Sequence, residues 1–136
     1  MRLLLKYNAN PNLATAGGTT PLMAAAGINW VAGRTFTHSP QESLDAVRLC
    51  VELGNDVNAV NSMGFTAMHG AANRGSDDII RFLAEKGAKL DAKDAEGRTP
   101  MDFAQGVFLA VVPPAGKPST VTLLRELTAT SKTAVR

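Results

Sequence analysis

The chain has 136 residues, 45% hydrophobic and 19% charged, proportions that fit one soluble domain. Its 14 basic and 12 acidic residues leave a net charge of +2, which makes no case for nucleic acid or an anionic membrane as partner, since either calls for a clustered basic stripe. The single cysteine, Cys50, excludes an internal disulfide and fits a cytoplasmic location, and the apolar run in MRLLLKYNAN is too short for a signal peptide or a spanning helix.

Along the chain, the first legible phrase is NANPNLAT (8–15), which runs into GTTPLMAAAG (18–27). Thr20 stands where a hydroxyl satisfies an orphan N–H at a helix start. Pro21 follows at the first helical position, where a missing N–H costs nothing. Ala24, Ala25 and Ala26 then let the short helix lie close to its neighbours, and Gly18 suits the positive φ of a tight turn before the cap. Both phrases return. NDVNAVNS (55–62) leads into GFTAMHGAANRG (64–75), and AKLDAKDA (88–95) leads into GRTPMDFAQG (97–106). Thr20, Thr66 and Thr99 are 46 and 33 residues apart, and so are Asn12, Asn58 and Asp91. After each short helix a second one returns with apolar residues at helical spacing. In SDDIIRFLAEKG (76–87), Ile79, Ile80, Phe82 and Leu83 are expected inward, Asp77 and Asp78 favour the N-terminal dipole, and Gly87 ends the helix. Cys50 aligns with Leu83 and is expected to be buried and inert.

A 33-residue period with a T-P-L-x-x-A core resembles the ankyrin repeat, and the resemblance covers almost the whole chain. It implies an all-α solenoid of stacked helix-turn-helix units joined by β-hairpin-like loops. The units are a half-repeat at 1–15 and repeats at about 16–61, 62–94 and 95–129, all in one domain, 1–129. Residues 130–136 are expected to form a short, frayed polar tail. In the family, the histidine at the place of His69 hydrogen-bonds the threonine and a neighbouring hairpin, so the resemblance implies a structural part for it. Met23 and Asp102 hold that place in the other units.

Three departures from the pattern stand out. Leu3, Leu4 and Leu5 belong to a helix whose covering partner is not legible, so the chain is expected either to be a fragment of a longer array or to cover that face with another copy. The second unit carries 13 extra residues, approximately 28–40, and the fourth carries 8 within 107–119. Both insertions fall between the two helices of their units and are expected on one edge of the stack. They are unusually apolar, with Trp30, Val31 and Phe36 in one and Phe108, Leu109, Val111 and Val112 in the other. They either pack as an extension of the core or form an exposed lip for a ligand.

No catalytic, cofactor or metal site is legible. His69 has only Ser62, Ser76, Asp77 and Asp78 nearby in sequence, without a recognised spacing, and His38 with Ser39 and Asp45 lacks a nucleophile elbow. Two histidines without a cysteine cluster do not make a zinc site. What the resemblance implies instead is a non-enzymatic protein-interaction module that grips an unidentified protein or peptide on its concave surface. By position its lining is Thr19, Ser62, Met63, Phe65, Asn73, Arg74, Glu96 and Arg98, joined by Trp30, Phe36 and Phe108 of the insertions. Met63 and Phe65 are expected at turn tips with no core to fill, and Arg74 and Arg98 are expected to meet acidic groups. A small-molecule site or weak hydrolase between the inserted loops, and self-assembly through the N-terminal face, stand as alternatives.

Overall fold

The computed structural model describes residues 6–28, 39–106 and 116–134, with side chains described as far as Ser131. The calls on Leu3, Leu4, Leu5, Trp30, Val31, Phe36, His38, Phe108, Leu109, Val111 and Val112 therefore lie outside the described residues. Among the described residues six helices have both ends in view: α1 (Pro21–Ala26), α2 (Pro40–Glu52), α3 (Ala67–Arg74), α4 (Asp77–Glu85), α5 (Pro100–Gln105) and α6 (Pro118–Ala134). The short first helices stack as α1, α3, α5, and the returning helices stack behind them as α2, α4, α6. This is the all-α solenoid that the repeat implies, and among the described residues it contains no strand.

Thr20, Thr66 and Thr99 each stand at an N-cap with extended backbone. Thr20 Oγ1 accepts the Met23 N–H at 3.2 Å. A cap that the repeat pattern does not announce opens α2: Ser39 Oγ accepts the Glu42 N–H at 3.1 Å, and the Glu42 carboxylate accepts the Ser39 N–H at 2.8 Å. Asp77 does more than complement the dipole of α4, because its carboxylate accepts the hydroxyl of fully buried Thr120 at 2.5 Å and so ties α4 to α6.

The core runs between the two helix rows, with Leu22, Val47, Met68, Ile79, Ile80 and Leu83 fully buried. Cys50 is buried among them, and burial pushes its thiol above the usual range, which keeps it protonated and unreactive. Phe82 departs from the expectation. It is only half-buried at the edge of the apolar stripe, with the Arg48 guanidinium and the Lys86 ammonium 5.7 and 5.6 Å from its ring centre. Gly70 lets α3 touch the exit of α1 backbone to backbone, since a Cβ there would stand 2.7 Å from the Ile28 nitrogen.

Helices α2 and α4 stop because the chain turns through positive φ just beyond them, at Gly54 (φ 91) and Gly87 (φ 86). Asn8, with φ 61, holds the same register before the first hairpin. In the last unit that register falls on Thr128, a β-branched residue for which such a φ is strained. Its hydroxyl instead bonds the Leu124 carbonyl at 2.7 Å, and α6 continues to Ala134. The expected frayed tail from residue 130 is helical at 130–134 for this reason.

Candidate functional site

The three hairpins are built alike. In each, two backbone hydrogen bonds close the turn, such as Asn61 N–H to Phe65 C=O at 3.1 Å and Gly64 N–H to Asn61 C=O at 2.9 Å. A side chain reinforces them from inside. Asn61 Oδ1 accepts the Met63 and Phe65 N–H groups at 3.0 Å each, and Asp94 Oδ1 accepts those of Glu96 and Arg98 at 2.9 and 2.8 Å. The hairpins are also laddered: Ser62 N–H donates to Gly17 C=O at 2.8 Å, and Ala95 N–H donates to Met63 C=O at 2.9 Å. The tips are thus held in a fixed row.

The candidate residues divide on this frame. Ser62, Met63 and Glu96 are exposed at the tips, and Met63 retains 53% of its surface. Thr19 is half-buried and its hydroxyl accepts from the Asn61 side chain at 3.2 Å, so it also joins the first two hairpins. Asn73 and Arg74 are half-buried at the end of α3, where the positive charge of Arg74 suits the C-terminal dipole.

Phe65 is a correction: only 9% exposed, it is core rather than tip. Its ring meets Phe103 edge-on with centres 5.5 Å apart and tilts against His69 at 5.9 Å. The hairpin leg carries it back under the turn, where this aromatic cluster fills the junction between the last two units. Arg98 is a second correction. Its guanidinium is already committed to Asp94 at 2.8 Å and Glu96 at 3.0 Å, and it lies over the Phe103 ring at 5.3 Å. Besides Tyr7, 79% exposed before the first hairpin, two exposed apolar residues of the hairpins were missed, Leu13 at 70% and Val60 at 60%. Both lie on hairpin legs, where an apolar residue beside an inward one gives no periodic signal of which way it faces.

His69 is fully buried. Its Nδ1 accepts the Thr66 N–H at 3.1 Å, and its Nε2 faces the Arg98 carbonyl at 3.1 Å. Only the neutral tautomer protonated on Nε2 satisfies both contacts. Burial, the largest influence, accordingly holds the pKa of His69 below its ordinary value despite the carbonyl contact. The imidazole joins a helix start to the next hairpin, as the resemblance implies. Burial pushes the Asp94 carboxyl upward, but the N–H groups of Arg98 and Glu96 outweigh it and leave Asp94 below the usual carboxylate range. Ser39 and Asp45 also have structural work, Ser39 as a cap and Asp45 as acceptor for the Gln41 amide at 2.9 Å.

Capped helix pairs stacked in register, joined by laddered hairpins, define a helical repeat solenoid. The family follows from comparison with known proteins. A profile of ankyrin repeats in three copies matches residues 36–111, and the chain belongs to the ankyrin-repeat family. It is 32% identical over 105 residues to alpha-latrocrustotoxin-Lt1a of Latrodectus tredecimguttatus, a match covering 76% of this chain and 6% of the toxin. It is 34% identical over 70 residues to protein phosphatase 1 regulatory subunit 27 of Mus musculus, covering 52% of this chain and 46% of that protein. A 46% identity over 69 residues to palmitoyltransferase Hip14 of Drosophila melanogaster covers 48% of this chain and 11% of the enzyme. The chain spans less than half the length of each. Among the described residues, no helix is long and apolar enough to cross a membrane.

Proposed function

We propose that this chain is a non-enzymatic protein-interaction module, working in the cytoplasm, which binds a partner protein or peptide across its hairpin tips and the adjoining ends of its first helices. Met63 carries the proposal. A large apolar side chain, 53% exposed, is held on a tip whose N–H is fixed by Asn61 and whose C=O is fixed by Ala95. A flexible, polarisable side chain on a rigid mount suits an adaptable interface. Thr19, Ser62, Asn73, Arg74 and Glu96 supply a polar surround. Arg98 acts on this surface through its hold on Asp94 and Glu96. The relative named as a phosphatase regulatory subunit is consistent with binding as the activity.

A photo-crosslinking amino acid at position 63, compared with one at exposed Glu52 on α2, tests the assignment. Protein adducts specific to position 63 are expected; equal labelling from both positions counts against the tip surface.

A further inference from the structure

Each hairpin is fastened to the next by two contacts on its leading edge. From the first, the Asn12 side chain donates to Leu53 C=O at 3.3 Å and Gly17 C=O accepts the Ser62 N–H at 2.8 Å. From the second, Asn58 donates to Gly87 C=O at 3.1 Å and accepts the Lys89 N–H at 2.8 Å, while Met63 C=O accepts the Ala95 N–H at 2.9 Å. The third hairpin presents the same two positions as the Asp91 carboxylate and the Glu96 carbonyl. Among the described residues, neither acceptor has a donor.

The turn that would meet them is displaced by α6. Because Thr128 does not turn the chain, the helix runs past this edge and leaves an open groove of about 730 Å³ beside Asp91. Ala88, Leu90 and Leu127 give it an apolar floor, and Thr128 and Ser131 stand on the helix side. An unfilled acceptor pair and a groove thus occupy the place where the two preceding junctions hold a turn and hairpin leg.

We propose that this edge docks an extended segment of a partner protein, which lengthens the hairpin ladder by donating backbone N–H groups to Asp91 and to the Glu96 carbonyl. The occupant is argued from continuity with the two ladder junctions inside the chain. Its two donors must be spaced like Lys89 and Ala95, the residues that fill this role one junction earlier. Asp91 also narrows the chemistry. Where Asn58 both accepts and donates, a carboxylate only accepts, so the segment must offer donors there and a carboxylate is repelled. This edge shares only Glu96 with the tip surface, its backbone carbonyl here and its side chain there; Asp91 and the groove lie outside that surface, so the two assignments are tested separately.

The probe is a cyclised peptide copying residues 87–98, titrated into the labelled full chain and followed by NMR. Shifts confined to 88–96 and 127–131 are expected. Methylating the peptide nitrogen equivalent to that of Lys89 or Ala95 is expected to weaken binding about tenfold, the scale of one lost hydrogen bond. Asp91→Ala, at an exposed residue without a partner among the described residues, is expected to weaken it similarly with unfolding unchanged. The proposal is overturned by absent shifts, by shifts centred on 10–16 or on Ser62 and Met63, or by indifference to N-methylation. Shifts at 88–96 that grow with protein concentration alone would make a second copy the occupant and overturn it too.

Discussion

His69→Asn is the substitution whose consequences the structure specifies most fully. An asparagine can still accept the Thr66 N–H, as the Asp102 carboxylate does for Thr99 N–H at 2.7 Å in the next unit. It cannot also reach the Arg98 carbonyl, which keeps only its bond from the Asp94 N–H, so one hydrogen bond between units is lost at about 1 kcal/mol. Losing the ring contacts with Phe65 and Phe103, at 5.9 and 5.4 Å, costs about another 1 kcal/mol. The variant should therefore be about 2 kcal/mol less stable at pH 7.5 by urea unfolding. Acid narrows that gap. The pKa of His69 is lowered in the fold, chiefly by burial, while the unfolded chain titrates near 6.5. Above 6.5 neither state binds the proton, and stability does not depend on it. Below 6.5 the unfolded state takes up a proton that the native state refuses, so the wild type loses stability until the pH reaches the lower folded-state pKa. By pH 5.5 the loss reaches at most about 1.4 kcal/mol, and the variant lacks it. A gap that is unchanged or wider at pH 5.5 would refute the neutral, buried imidazole.

Phe65→Ala should destabilise the fold by about 3 kcal/mol, whereas Met63→Ala should stay within about 0.5 kcal/mol, as paired urea titrations would show. Asp94→Ala removes a buried acceptor of three hydrogen bonds and should cost about 3 kcal/mol at neutral pH. Because the pKa of Asp94 is lowered in the fold, its contribution is present above the unfolded value near 3.9 and is lost as pH falls through the folded one; acid unfolding of the variant should be correspondingly shallower. Thr128→Gly should weaken the end of α6 by about 0.4 kcal/mol, and amide exchange at 129–134 should quicken while that of α4 is unchanged.

The repeat frame was legible because its signals are local. A threonine cap, a proline behind it and a glycine turn each act within a few residues, and their recurrence fixed the stack. The part of His69 was legible only through the resemblance, since its partner, the Arg98 carbonyl, lies 29 residues away in the next hairpin. What was misread depends on contacts between units. Phe65 stands beside a turn, yet the stacking of α3 on α5 brings Phe103 over it. The commitment of Arg98 to Asp94 and Glu96 likewise follows from the turn geometry of its own hairpin, which composition does not reveal. The overrun of α6 was readable in principle, as the absence of glycine at 128. So was the Ser39–Glu42 capping box, which the repeat spacing drew attention away from.

The central proposal is that the Met63 side chain on the hairpin tip meets a protein partner while adding little to the fold. Met63→Glu tests it most directly, with affinity for a partner identified by crosslinking at position 63 measured on protein of verified stability. The account predicts binding weakened at least about tenfold, as expected for a charge placed in the apolar centre of an interface, with the urea midpoint unchanged. Undiminished binding by the folded variant would contradict it.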